Sequence, residues 1–116
     1  MRLEAFEENG VFAPGRIAEE LRTTKEEVAR TVGLERDALI RANRIQSPKT
    51  QKRLRELVEI LNRVEPRFGS ARIAYAWYRS EPLAGCGGLT AMQLVRDGHA
   101  EEVMDYIDAV DAALHA

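Results

Sequence analysis

The sequence predicts an all-α fold: an N-terminal helix-turn-helix bundle followed by a small three-helix C-terminal domain. Three observations carry this. Apolar residues recur at helical spacing along the chain, most plainly at Leu54, Leu57, Val58, Leu61 and Val64. Helix-start signals recur too: Thr24 to Glu27 and Thr90 to Gln93 each spell a capping box, and Ser47-Pro48 spells an N-cap with proline at the first helical position. No alternating apolar run is long enough to read as a strand.

The elements follow in order. Arg2 to Glu8 reads as a short first helix ended by Asn9-Gly10. Pro14 opens a second one, with Ile17, Ala18 and Leu21 on one face. The helix capped by Thr24 should end near Val32, at Gly33, and the next should start about Glu35, with Leu39 and Ala42 inward and Arg36, Arg41 and Arg44 outward. The long helix after Ser47 should stop at Pro66, making Pro66-Arg67-Phe68-Gly69 the expected hinge between residues 1–66 and residues 67–116. Ala71 to Arg79 is a shorter helix packing Ile73, Ala74, Trp77 and Tyr78. Glu81 to Leu89, with three glycines and one proline, is a loop. A helix from Thr90 to Asp97 stops at Gly98, and a final helix from Ala100 to Leu114 buries Val103, Ile107, Val110 and Leu114.

Composition bounds the function. With 116 residues, 45% hydrophobic and 31% charged, the chain suits one domain, or two very small ones sharing a core. No apolar run approaches the roughly 20 residues needed to cross a bilayer. The start, MRLEAFEENG, is too acidic for a secretory signal, so a cytoplasmic protein is expected. A single cysteine, Cys86, excludes an intramolecular disulfide and a cysteine-rich zinc site. His99 and His115 have no ligand-like spacing, so no metal or cofactor is expected. Nothing resembles a catalytic constellation: Cys86 has no nearby histidine, no paired carboxylates or HExxH pattern stand out, and EPLAGCGGL lacks the GK[ST] ending of a phosphate-binding loop. The expectation is a protein that is not an enzyme.

Charge is unevenly spread. Residues 1–66 carry 13 basic and 12 acidic side chains, residues 67–116 carry 4 and 7. From Arg36 to Arg55, seven basic residues face Asp37 alone, a local excess suited to phosphate contacts. That cluster flanks the segment from Lys25 to Arg44, whose small and apolar residues (Val28, Ala29, Val32, Gly33, Leu34, Leu39) match two short helices crossing at a tight glycine turn. In such a motif the second helix enters the major groove. Arg36 and Arg41 are the candidates for bidentate contacts to guanine. Thr24 and Lys25 are candidates for the phosphate backbone, and Arg44, Lys49, Lys52 and Arg53 for added charge. Glu35 and Asp37 act against phosphates, and a chain this small calls for a homodimer on operator DNA. Glu101, Asp105 and Asp108 share one side of the last helix, ordinarily a solvated face and otherwise a surface for a basic protein.

The helix-turn-helix pattern, the segment SPKTQKRLRELVEILNRVEPRFGS and then AYAWYRSEPLAGCGGLTAMQLVRDGHAEEVMDYI together resemble the Xre/MbcA/ParS antitoxins of bacterial type II toxin–antitoxin modules. The resemblance covers roughly residues 14–114. Its C-terminal marks are Ala76-Trp77, the Pro/Gly loop, the Thr90 to Leu94 helix start and Gly98. The chain departs from the pattern at Gly87-Gly88-Leu89, where family members often follow the glycine pair with a basic or polar residue. The resemblance implies that residues 67–116 are a toxin-binding domain and that the partner is a RES-domain toxin that consumes NAD⁺, covered at its active-site entrance. It also implies that residues 1–66 repress the module's own promoter. The toxin contacts expected on that basis are Arg79, Glu81, Leu83, Leu114, His115 and Ala116. Two other classes fit the residues: a dimeric transcriptional regulator without a toxin partner, and a helical interaction module whose helix-turn-helix is only structural.

Overall fold

The structure, a computed structural model, describes residues 3–115. Those residues are mostly helical, with one small two-stranded sheet. A 3-10 turn, Leu3–Phe6, leads into an antiparallel hairpin of β1 (Glu7–Glu8) and β2 (Val11–Phe12), with Glu7 opposite Phe12. The single helix expected over Arg2 to Glu8 is thereby corrected, Arg2 itself lying outside the described residues. Asn9 and Gly10 take φ of +54° and +83°, the two left-handed residues that a tight hairpin turn needs, so the chain reverses there. The hairpin is tied to the long helix: Phe12 N–H donates to Gln51 Oε1 at 2.8 Å, and Gln51 Nε2 donates to the Phe12 carbonyl at 3.2 Å.

Helix α1 (Pro14–Glu20) begins at its proline and buries Ile17 and Ala18. Helix α2 (Lys25–Thr31) is capped by the Thr24 hydroxyl, which accepts from the Glu27 amide at 3.1 Å, while the Glu27 carboxylate accepts from Arg30 Nε. Gly33, at φ +77°, then turns the chain. The expected continuous helix from Glu35 is absent. The chain instead forms a 3-10 helix, Arg36–Leu39, and after a break a single turn α3 (Ala42–Ile45). Arg41 is extended (φ −80°, ψ 123°), which shifts the helical phase. Leu39 therefore points inward and Ala42, expected beside it, is exposed.

Helix α4 (Pro48–Phe68) is capped by Ser47, whose Oγ accepts from the Thr50 amide at 3.2 Å. It buries Leu54, Leu57, Val58, Ile60, Leu61 and Val64. It does not stop at Pro66. That residue lies exposed in the last turn, where its ring removes one donor, and the helix ends at the left-handed Gly69. The expected hinge is thus helix up to Phe68, and the 66/67 boundary falls within α4. One continuous buried cluster runs from Phe6 to Ile107 across it.

Helix α5 (Ala71–Ser80) follows directly, capped by Ser70. Its inward face is Ala74, Tyr75 and Tyr78, whereas Ile73, expected inside, is 50% exposed and Trp77 is half-buried against Phe68. Helix α6 (Ala91–Arg96) has the full capping box: Thr90 Oγ1 accepts from the Gln93 amide at 3.1 Å and Gln93 Oε1 accepts from the Thr90 amide at 2.9 Å. Helix α7 (Ala100–Leu114) buries Val103 and Ile107 and half-buries Val110. Leu114, expected inside, is 67% exposed, one turn beyond the tie between Arg67 and Asp111. That tie and a second, Arg63 with Asp108, hold α7 on α4, and the Arg67 guanidinium keeps the Asp111 carboxyl below the usual carboxylate range. Asp108 therefore serves the fold, not a free acidic face.

The C-terminus of α2 is held by α4 and α5. Tyr78 Oη donates to the Thr31 carbonyl at 2.6 Å, and Tyr75 Oη shares a hydrogen bond with Thr31 Oγ1 at 3.1 Å. Burial pushes both phenols above their usual range, Tyr78 furthest. From α4, Arg53 Nη1 donates to the Val32 carbonyl at 2.8 Å and to the Val95 carbonyl at 2.7 Å.

Candidate functional site

Two surfaces collect the sequence-predicted contact residues. The first surrounds the Gly33 turn. Thr24 and Lys25 are exposed at the start of α2, Arg36 is exposed at the start of the 3-10 helix, and Lys49 and Lys52 are exposed on the first turns of α4. Arg41 and Arg44 are engaged by their own carboxylates. Arg44 Nη1 lies 2.9 Å from Glu35 and 2.8 Å from Asp37, and the Glu35 bond raises the already high pKa of the guanidinium. Arg41 Nε lies 3.2 Å from Asp37. The two acids thus act by pairing with cations beside them, which lowers the free positive charge of the segment.

Arg53 leaves the basic cluster altogether. Its side chain is only 15% exposed and its donors go to main-chain carbonyls, so it is corrected from a source of surface charge to a structural residue. Arg55 likewise lies over the Phe12 ring at 5.2 Å and beside Glu59. What remains open to an anion on this surface is Lys25, Arg36, Lys49 and Lys52, all exposed.

The second surface is the loop between α5 and α6. Its two ends are stitched together by the Pro82–Thr90 bridge and by the Leu83 amide donating to the Leu89 carbonyl at 2.9 Å. Within it the Cys86 amide donates to the Leu83 carbonyl and the Leu89 amide to the Cys86 carbonyl, both at 3.1 Å. Gly85, Gly87 and Gly88 all have positive φ, so this tight path depends on glycine. Leu83, expected as a contact, is 2% exposed: it is corrected to the apolar anchor that fixes the loop to the core, because the stitched ends draw it inward. Ala84, Gly85, Gly87, Gly88 and Leu89 are left on the outside.

Among the other expected contacts, Arg79 and Glu81 are exposed, Arg79 with its guanidinium 4.4 Å from the Tyr75 ring centroid. Leu114 and His115 are exposed at the end of α7, and Ala116 lies outside the described residues. The two surfaces meet at a cleft of about 900 Å³, whose walls include Thr24, Arg30 and Arg36 on one side and Leu89, Gln93 and Arg96 on the other. Sequence reasoning gave Arg53 the wrong role and missed Tyr75; both hold the end of α2, Arg53 at the Val32 carbonyl and Tyr75 at the Thr31 hydroxyl. The signal for Tyr75 was available, since Ala71, Ala74, Tyr75 and Tyr78 recur at the spacing of one helix face.

Among the described residues no group of three His, Cys, Asp or Glu side chains is placed to hold a metal ion, and no helix is long and apolar enough to cross a membrane. No family model, curated protein or solved structure matches the chain.

Proposed function

We propose that this chain is the antitoxin of a type II toxin–antitoxin module, with a RES-domain, NAD⁺-degrading toxin as partner. In this reading it acts by occlusion and not by catalysis. The loop from Glu81 to Leu89 meets the toxin, flanked by Arg79 and Glu81, with the exposed end of α7 (Leu114, His115) as a further contact. The observation that supports it best is the pre-shaped loop: anchored by Leu83, cross-linked at both ends and presenting small uncharged residues. A blocking element must hold its form before contact, since ordering a mobile loop at the moment of binding costs affinity. Small outward residues let such a loop enter a narrow entrance.

The helix-turn region would bind the module's own promoter as a homodimer. Lys25, Lys49 and Lys52 are then phosphate contacts and Arg36 the base-reading candidate, while Arg41 and Arg44 exchange Glu35 and Asp37 for DNA. The pairing with these acids points to modest intrinsic affinity.

The test is co-expression with the product of the reading frame adjacent to its gene. The expected result is a stable complex with a RES-domain protein and restored cellular NAD⁺. Free toxin and continued NAD⁺ loss would overturn the reading. For the DNA arm, binding to the promoter fragment is measured at two salt concentrations. A steep loss with salt is expected, and no binding at low salt, alone or with toxin, removes the DNA role.

A further inference from the structure

We infer that Arg53 is a positioning residue that locks the DNA-contact segment and the toxin-contact loop into one rigid unit. The names of these two surfaces rest on the proposed function; the clamp itself rests on geometry.

One guanidinium nitrogen, Nη1, serves the C-terminal carbonyls of two helices, reaching Val32 after α2 and Val95 in α6, with Arg96 O at 3.4 Å. The last carbonyls of a helix have no partner within it, and together with the helix dipole they favour a cation. Gly33 makes the approach achievable. A Cβ there would sit 2.9 Å from Arg53 Nη1 and 3.0 Å from the Arg96 Cα, so the turn after α2 and the end of α6 lie directly against each other. The walls of the cleft meet at this point. On one side the chain continues within three residues to Arg36, and on the other α6 leads back to Leu89. A residue outside both contact surfaces therefore sets the angle between them.

The experiment is amide hydrogen exchange on the full chain, comparing the wild type with Arg53→Met, Arg53→Lys and the charge control Arg72→Met, at an exposed arginine of α5. Leu34 N–H (to Ala29 O) and His99 N–H (to Leu94 O) report the two helix ends, and Ala74 N–H (to Ser70 O) reports the fold elsewhere. Arg53→Met is expected to speed exchange about tenfold or more at both Leu34 and His99 while Ala74 stays protected. Arg53→Lys, which keeps the charge and N–H donors on a shorter side chain, is expected to fall between, and Arg72→Met to leave exchange at all three amides unchanged. If Arg53→Met does not fold, Arg53→Lys alone decides by the same criterion. Opening at only one end, or at neither, overturns the clamp.

A second arm measures promoter binding against salt. Replacing a phosphate-contacting arginine lowers the salt slope by about 1, which is the expectation for Arg36→Ala. Arg53→Met is expected to weaken binding with the slope unchanged, and a reduced slope would make Arg53 a phosphate contact. If the wild type binds no promoter DNA, the proposed function loses its DNA arm, while the exchange measurement still decides the clamp.

Discussion

Replacing Gly33 by alanine tests the contact between α2 and α6 most directly. Two costs are expected. The first is conformational: Gly33 has φ +77°, where an L side chain costs roughly 1–2 kcal/mol, offset in part by about 0.5 kcal/mol from the less flexible unfolded chain. The second is steric. The new methyl would lie 3.0 Å and 3.1 Å from the Arg96 Cα and carbonyl oxygen, and backbone cannot rotate away as a flexible side chain can. Overpacking of this kind costs about 1–3 kcal/mol. Gly69 supplies the control, since it has φ +80° and nothing within 4 Å of its added Cβ. Gly69→Ala should therefore show the conformational cost alone, roughly 1 kcal/mol, and Gly33→Ala a total of about 2–4 kcal/mol. Urea unfolding followed by the fluorescence of Trp77, the one tryptophan, measures both. Equal destabilisation by the two substitutions would refute the argument, because it would mean the helix ends are not in contact at Gly33.

Leu83→Ala removes the anchor under the loop between α5 and α6 and should cost about 2–5 kcal/mol of stability in the same urea assay; a change within experimental error would return Leu83 to the surface. Glu56 has a buried Oε1 without a hydrogen bond, and burial raises its pKa above the usual 4.5, against the pull of Lys52 and Arg53 and with a smaller push from Glu101 and Glu59. Because the folded value is the higher one, ionisation destabilises the fold as pH rises from the unfolded value through the folded one. Glu56→Gln should thus be more stable than the wild type at pH 7, with the difference vanishing below about pH 4, as read from thermal melts across that range. A constant difference at all pH values would show that the charge is not the cause.

What could be read from the sequence was local chemistry. The Thr24, Ser47 and Thr90 caps, the Gly33 and Gly98 turns and the α4 stripe each depend on neighbours within a few residues and are found where expected, although the box expected at Thr24 is half made, Glu27 bonding Arg30 instead of the Thr24 amide. The errors arise where distant packing decides. Asn9-Gly10 is equally a helix stop and a hairpin turn, and only the Phe12–Gln51 bonds favour the hairpin. Ile73 and Tyr75 compete for the inner face of α5, and the buried hydroxyl partner at Thr31 selects the tyrosine. Leu83 looked like a loop residue on display until the loop's own cross-links turned it inward. In the basic cluster, charge counting could not show that Arg53 spends its donors on carbonyls 21 and 42 residues away along the chain.

The way α4 is shared has a consequence for the newly made chain. Its apolar stripe packs against β2 on the one hand and against α5, α6 and α7 on the other, so the core closes only with Val103 and Ile107. Before the ribosome has made α5, α6 and α7, Leu57, Leu61 and their neighbours have no complete cover. The nascent protein is then exposed to proteases and to sticking until α7 has emerged and packed on α4.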